Sequence, residues 1–202
     1  MDEKVRLEIE KLVERFLELV GEDVNREGLK ATPHRVAKLY ANFLTYGKEL
    51  RVVKEDDYDN KEKKDEWYIT IFENKEKYDQ IIFRKSEFIS MCEHHLVPFF
   101  GEVYIAYIPN KKIIGLNKLD VVVNYFAHRF QIQERLTKQI CDFLDSVLEP
   151  KGVMVVIKAR HMCAEITKNN GEFITSAVKG VFFDNSVKEE AMRLMGVINS
   201  GK

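Results

Sequence analysis

The chain has 202 residues, enough for one domain of ordinary size or a compact domain with an attached helical segment. Its 32 basic and 33 acidic residues leave a formal net charge of −1, whereas general nucleic-acid binders usually carry a basic excess. No apolar run approaches the ~18 residues that span a bilayer, and the N-terminus is too charged for a signal peptide. Three cysteines do not make a disulfide framework, so we expect a cytoplasmic protein with free thiols.

Two helices are predicted near the N-terminus. From Val5 to Val20, apolar residues recur at spacings of three or four, and Gly21 is a typical helix end. A second helix is expected to begin at Thr32 and Pro33, a cap residue followed by proline at the first helical position. Gly47 would end it.

A run of charge then interrupts the chain. Eleven of the thirteen residues from Lys54 to Glu66 are charged, with both signs mixed, which is typical of a solvated loop or linker. The sequence therefore predicts an N-terminal helical segment at 1–50, a charged linker at 51–66 and a folded domain at 67–202.

Beyond the linker the hydrophobic period changes from helical to alternating. Five segments rich in Ile, Val, Phe and Tyr are predicted as strands: residues 67–73, 80–90, 101–109, 152–162 and 172–183. A helical stretch from Asn117 to Leu148, in one or two pieces, separates the third from the fourth. A turn at 168–171 would join the last two, and a final helix opens with Ser186 and Glu189 in capping-box spacing. This order favours an α+β domain.

The densest chemical segment directly follows a predicted strand. Cys92 and His95 are three residues apart, which on a turn brings a thiolate and an imidazole nitrogen to one point. Sulfur and nitrogen donors suit zinc. His161 and Cys163 are two residues apart, so on a strand both side chains would point to the same face. Three protein ligands with an open fourth position would be a catalytic arrangement, and the remaining histidines would act as acid and base.

Cys163, the remaining cysteine and the remaining histidines also have purely structural interpretations. Cys163 and Cys141 are candidates for buried core positions, as free cysteines often are. His34 suits a surface or capping role at a helix start, and His128 suits a structural role on the long helix. Residues 133–135 would by default form a solvated helix face.

Seven ordered motifs show that the chain closely resembles the GTP cyclohydrolase I family from about Gly21 to the last helix. They are residues 21–29 (GEDVNREGL), 32–37 (TPHRVA), 90–99 (SMCEHHLVPF), 114–119 (IGLNKL), 131–137 (QIQERLT), 161–163 (HMC) and 175–176 (TS). The resemblance implies a T-fold, an antiparallel sheet with long helices packed on one face, assembled into toroidal homodecamers whose active sites lie between subunits.

Carried over residue by residue, the resemblance assigns Cys92, His95 and Cys163 as zinc ligands and His94 and His161 as catalytic histidines. It implies that a zinc-activated water attacks C8 of GTP and that formate leaves the opened ring. Reclosure would give 7,8-dihydroneopterin triphosphate, the first step of pterin and tetrahydrofolate biosynthesis.

The resemblance also implies four substrate-binding residues. Glu134 would accept two hydrogen bonds from the guanine N1–H and 2-amino group, with Gln133 beside it in the same pocket. Lys118 matches a lysine near the triphosphate, and Asn117 stands where the family has serine.

Two departures affect the phosphate ligands. Val121 replaces a phosphate-binding arginine, and residues 164–168 lack the Arg-Gly pair that follows the zinc cysteine in the family. Lysine cannot fully replace the bidentate clamp of arginine, although Lys168, Lys179 or Arg160 would be available to compensate. Two alternatives therefore accompany a GTP cyclohydrolase I: a diverged paralogue that opens another purine nucleotide, and a non-catalytic relative that binds a pterin or nucleotide.

Overall fold

The structure, a computed structural model, describes residues 2–44, 48–54 and 67–196. The chain divides into two compact units, residues 1–46 and 47–202. In the described part of the chain, no helix combines the length and the apolar character needed to cross a membrane.

The first unit contains helices α1 (Glu3–Leu19) and α2 (Thr32–Phe43). Gly21 follows α1 with a φ of 88°, a left-handed conformation that suits glycine at a helix end. The start of α2 differs from the prediction, because Ala31 is the N-cap and the threonine is already helical, with no side-chain cap. The predicted stop at Gly47 lies outside the described residues.

The second unit mixes strands and helices, as expected for an α+β domain. In chain order they are β1 (Leu50–Lys54), β2 (Trp67–Glu73), β3 (Ile82–Cys92), β4 (Pro98–Ile108), β5 (Lys112–Ile114), α3 (Leu116–Ala127), β6 (Phe130–Gln131), α4 (Gln133–Leu148), β7 (Gly152–His161), α5 (Met162–Ile166), β8 (Phe173–Gly180), a 3-10 turn (Val181–Phe183) and α6 (Asn185–Leu194). Residues 51–54, assigned to the linker from the sequence, form part of β1, and residues 55–66 lie outside the described part.

The strands form two sheets. The smaller has the order β1-β2-β5, with β1 parallel and β5 antiparallel to β2. The larger has the order β6-β3-β4-β7-β8, in which β3, β4, β7 and β8 are antiparallel and β6 runs parallel to β3. Central strands β4 and β7 are buried on both faces over residues 103–107 and 152–157, which explains the continuous runs of apolar residues there.

Along the central strands, alternate side chains point to opposite faces of the larger sheet, and a different set of helices packs on each face. On β7, Val155 and Ile157 belong to the main core, together with buried residues of α3 and α4. Met154 and Val156 belong to a smaller core with Phe182 of the 3-10 turn and residues of α6. The period of two along a strand thus separates two hydrophobic layers.

One predicted boundary is corrected near the chemical residues. Pairing of β7 with β8 ends at Ala159 and pairing with β4 ends at His161. No ladder then keeps the next residues extended, so Cys163 lies in helix α5 rather than in a strand.

Two further boundaries are corrected at the C-terminus. Asp184, not Ser186, caps α6, because its carboxylate accepts a 2.8 Å hydrogen bond from the Ser186 backbone N–H. Residues 181–183, predicted as strand, form the 3-10 turn after Gly180, whose φ of 60° turns the chain out of the ladder.

The close contact between β4 and β7 depends on Gly101. A Cβ at this position would lie 2.0 Å from the Lys158 carbonyl oxygen and 2.8 Å from Ala159 Cα, both backbone atoms that cannot rotate away. We expect Gly101→Ala to lower the free energy of unfolding by about 3 kcal/mol, because it overpacks a central ladder. Urea denaturation would measure it. Gly171→Ala, with no atom within 4 Å of the new Cβ, is the control and should change stability by less than about 0.5 kcal/mol.

Candidate metal centre

The first two candidate ligands lie on a tight turn at the end of β3. The Cys92 backbone N–H donates to the Val97 carbonyl, and the Leu96 N–H donates back to the Cys92 carbonyl, each at 2.9 Å. Leu96 has a φ of 55°, a left-handed conformation that reverses the chain. The turn brings His95 Nδ1 within 3.5 Å of Cys92 Sγ, as the three-residue spacing predicts.

The third candidate ligand, Cys163, reaches the same point through the register of the sheet. Met91 of β3 pairs with Pro98 of β4, and the next β4 residue, Phe99, pairs with His161 at the end of β7. The ends of β3 and β7 therefore meet at one edge. As a result, the ligand atoms of Cys92, His95 and Cys163 all lie within 4.8 Å of one another.

This donor set fits zinc. A tetrahedral site with Zn–S of about 2.3 Å and Zn–N of about 2.1 Å separates a sulfur from a nitrogen ligand by about 3.6 Å. The 3.5 Å between Cys92 Sγ and His95 Nδ1 agrees with that expected sulfur–nitrogen distance. Two thiolates and one imidazole also leave a fourth tetrahedral position for a water.

Arg135 of α4 stabilises the turn at residues 92–97 that carries two candidate ligands, which we call the ligand turn. Its guanidinium pairs with the Glu93 carboxylate, and it donates to Gln131 Oε1 at 2.8 Å and to the Phe130 carbonyl at 3.1 Å. The Glu93 backbone N–H in turn donates to the Gln131 carbonyl at 3.0 Å. The hydrogen bond from Arg135 lowers the pKa of the Glu93 carboxyl, so this group stays ionised beside the turn.

His161 lies in an aromatic pocket beside the ligands. Its ring stacks on buried Phe99 with centroids 4.6 Å apart and an interplanar angle of 4°, and Phe173 meets it edge-on at 5.2 Å. His161 Nε2 lies 2.9 Å from Gln133 Oε1. Burial lowers the pKa of the imidazole, and the carboxylate of nearby Glu134 opposes that shift.

The residues assigned to catalysis and substrate binding fall into two groups. Exposed His94 sits beside His95, and exposed Glu134 lies in the first turn of α4, near His161. The other pair lies on a different element: Asn117 is exposed at the start of α3, where Lys118 Nζ lies 3.6 Å from the Tyr68 ring centroid.

Two of the three cations named as replacements for the missing arginines are paired with carboxylates. Arg160 Nη2 lies 2.8 Å from Glu165 Oε1, and its Nε donates to the same oxygen at 2.9 Å. Lys179 Nζ lies 3.0 Å from Asp142 Oδ1. These pairings compete with any phosphate for the same positive charge.

The remaining cysteine and histidines have structural surroundings. Cys141 is fully buried in the main core, and burial raises the pKa of its thiol to about 11. The His128 ring packs edge-on against Trp67 at 5.8 Å. His34 Nδ1 lies 3.1 Å from Glu10 Oε1, in an ionic cluster that joins the two N-terminal helices.

Local sequence indicates no role for the Phe99 ring on His161 or for Arg135 behind the ligand turn. Phe99 lies 62 positions before His161, and Arg135 lies 42 positions after Glu93. Both contacts arise from sheet register and helix packing, so no local spacing signals them.

Comparison with known proteins gives a consistent result over most of the chain. The sequence model of the family described as GTP cyclohydrolase I matches residues 9–196. A GTP cyclohydrolase 1 of Campylobacter jejuni subsp. jejuni serotype O:23/36 (strain 81-176) is 44% identical over 198 residues, which cover 96% of this chain and 95% of that protein.

Two further relatives carry the same name. The GTP cyclohydrolase 1 of Sulfurihydrogenibium sp. (strain YO3AOP1) is 43% identical and covers 96% of this chain and 95% of its own length. That of Aquifex aeolicus (strain VF5) is 44% identical and covers 93% and 95%. With a family match over most of its length and these relatives, the chain belongs to the GTP cyclohydrolase I family.

Proposed function

We propose that this protein is a GTP cyclohydrolase I, which converts GTP and water to formate and 7,8-dihydroneopterin triphosphate. The observation that carries the proposal is the convergence of Cys92, His95 and Cys163 within 4.8 Å, in a chain that belongs to this family. Three donors with an exchangeable fourth position suit hydrolysis better than a purely structural metal role. The reaction is the first step of pterin and tetrahydrofolate biosynthesis.

The same three residues would hold zinc. When bound, zinc lowers the pKa of a coordinated water and so supplies the nucleophile for C8 of the purine. Phe99 stacks on the His161 ring and Phe173 meets its edge, and these contacts hold the plane of the ring.

Two imidazoles would move the protons that ring opening requires. His161 would exchange a proton with the imidazole portion of the purine. His94 would exchange a proton on the opposite side of that ring as the one-carbon unit leaves as formate. His94 is exposed, as suits a group that exchanges protons with solvent between turnovers.

Glu134 would anchor the guanine ring. An ionised carboxylate accepts two parallel hydrogen bonds, which match the N1–H and 2-amino donors of guanine. Glu134 lies in the first turn of α4, close enough for its carboxylate to raise the pKa of His161 against the effect of burial. This position supports placing the purine between these two side chains.

Phosphate binding would fall to Lys118 and Asn117 at the start of α3. Because Val121 stands in place of an arginine and Arg160 and Lys179 are paired with carboxylates, a second candidate is a cyclohydrolase that accepts guanosine nucleotides with fewer phosphates. The resemblance further leads us to propose a T-fold and a cytoplasmic homodecamer with active sites shared between subunits.

The test is to incubate zinc-loaded protein with GTP, GDP or GMP and measure formate together with the fluorescence of the oxidised pterin. Equal amounts of formate and pterin, with kcat/KM highest for GTP, are the expected result. Similar kcat/KM values for GTP and GMP would favour the second candidate. Formation of neither product from any nucleotide would contradict the proposed function.

A further inference from the structure

Both polar atoms of the Gln133 side chain have protein partners. Only 3% of the residue is exposed. Its Nε2 lies within hydrogen-bond distance of the Ile157 carbonyl at 3.1 Å, the Phe173 carbonyl at 2.9 Å and Thr175 Oγ1 at 3.1 Å. Its Oε1 faces His161 Nε2 at 2.9 Å. The amide thus links strands β7 and β8 to the histidine.

The direction of each hydrogen bond in this network follows from a backbone carbonyl that can only accept. Thr137 Oγ1 donates to the Gln133 main-chain carbonyl at 2.8 Å, which uses its single hydrogen. In the 2.7 Å contact between the two threonine hydroxyls, Thr175 must therefore donate to Thr137. Thr175 Oγ1 is then an acceptor toward the Gln133 amide nitrogen.

The orientation of the amide decides the tautomer of His161. Two backbone carbonyls and one accepting hydroxyl surround the amide nitrogen, so the oxygen must face the imidazole. An amide oxygen only accepts, which requires a hydrogen on His161 Nε2. In the neutral ring, Nδ1 then carries no hydrogen and is the nitrogen that can accept a proton.

We propose that Gln133, with Thr175 and Thr137 behind it, is a positioning residue that selects the Nε2–H tautomer of His161 and directs Nδ1 as the proton acceptor. This inference rests on the proposed function and deepens it. It replaces direct binding of guanine by the Gln133 side chain, whose polar atoms are already bonded. Phe99 holds the plane of the ring, and the glutamine fixes which nitrogen carries the hydrogen.

The kinetic test separates positioning from binding. Gln133→Met keeps the length of the side chain and removes the amide, so kcat should fall about 10- to 100-fold while KM for GTP changes less than about twofold. A rise in KM at unchanged kcat would overturn the proposal, because it would identify Gln133 as a substrate ligand.

Two threonine variants test the same hydrogen-bond network without changing Gln133, in case Gln133→Met fails to fold. Thr175→Val removes one acceptor of the amide hydrogens and should lower kcat about three- to tenfold, whereas Thr175→Ser keeps the hydroxyl and should restore kcat to within about twofold. Equal losses in both variants would contradict a role for the hydroxyl. Ser146→Ala, on the exposed side of α4, is the matched control and should leave kcat unchanged.

A spectroscopic readout is independent of turnover. In zinc-loaded protein labelled with ¹⁵N-histidine, at about pH 8, the two ring nitrogens of a neutral imidazole resonate far apart and report the tautomer directly. The His161 signals are those missing from His161→Gln. We expect Nε2–H in the unchanged protein and a mixture in Gln133→Met; the same tautomer in both would overturn the proposal. Absence of GTP turnover in the unchanged protein would instead contradict the proposed function and leave this readout decisive.

Discussion

Cys163→Ser is expected to abolish zinc binding and GTP turnover together. A serine hydroxyl does not ionise near neutral pH, so the site loses one of its two thiolates and keeps only Cys92 and His95. Removing even a partner behind a metal ligand costs about 10- to 100-fold in affinity, so removing a ligand itself should cost at least about 100-fold. Metal content after gel filtration and formate release would be measured on the same samples.

The third cysteine supplies the control for this experiment. Cys141 lies in the main core, and burial raises the pKa of its thiol to about 11, which keeps it protonated and poorly suited to bind metal. Cys141→Ala should retain zinc and turnover and lose only about 1 kcal/mol of stability through a small cavity. If Cys163→Ser lost its zinc but still released formate, the proposed hydrolytic role of the metal would be wrong.

Glu134→Gln is expected to lower kcat/KM for GTP about 100- to 10,000-fold without loss of zinc. The carboxylate would accept two charge-assisted hydrogen bonds from guanine, each of which contributes about 1.5–3 kcal/mol. A glutamine offers one acceptor and turns an N–H group toward a donor of the base. One bond is replaced by a donor–donor contact and the other loses its charge assistance, and because every 1.4 kcal/mol is a factor of about ten, the two effects together give the stated range.

Inosine triphosphate, which lacks the 2-amino group, gives an internal check on this interaction. The unchanged protein should strongly prefer GTP over inosine triphosphate, and in Glu134→Gln that preference should largely disappear. Glu190→Gln, at another exposed carboxylate, on α6, is the control and should alter neither value. A kcat/KM within about threefold of the unchanged protein would remove Glu134 from the proposed purine site.

The secondary structure was predictable where residue preferences or periodicity are strong. Strand β2 has the predicted bounds, Trp67–Glu73, because β-branched and aromatic residues make up most of it, although its buried residues 69–71 are consecutive rather than alternating. The helical stretch at 117–148 forms two helices, α3 and α4, with the short strand β6 between them. The element that holds Cys163 was not predictable, because its conformation depends on where the neighbouring ladders stop.

For this protein, local sequence defines the chemistry that a few adjacent residues can form by themselves. The spacing of Cys92 and His95 on a turn is such a case, since three residues suffice to bring sulfur and nitrogen to 3.5 Å. The ordered motifs likewise define the family.

Only the tertiary structure decides which distant residues complete that chemistry. Cys163 joins the first two candidate ligands through the register of three strands, and Gln133 reaches both Thr175 and His161 because α4 packs on β7 and β8. These contacts span 28 to 71 positions along the chain, where no periodicity relates one residue to another. The physical reason is that hydrogen-bond direction and ligand geometry depend on packing between elements, whereas a sequence pattern reports only the preferences within one element.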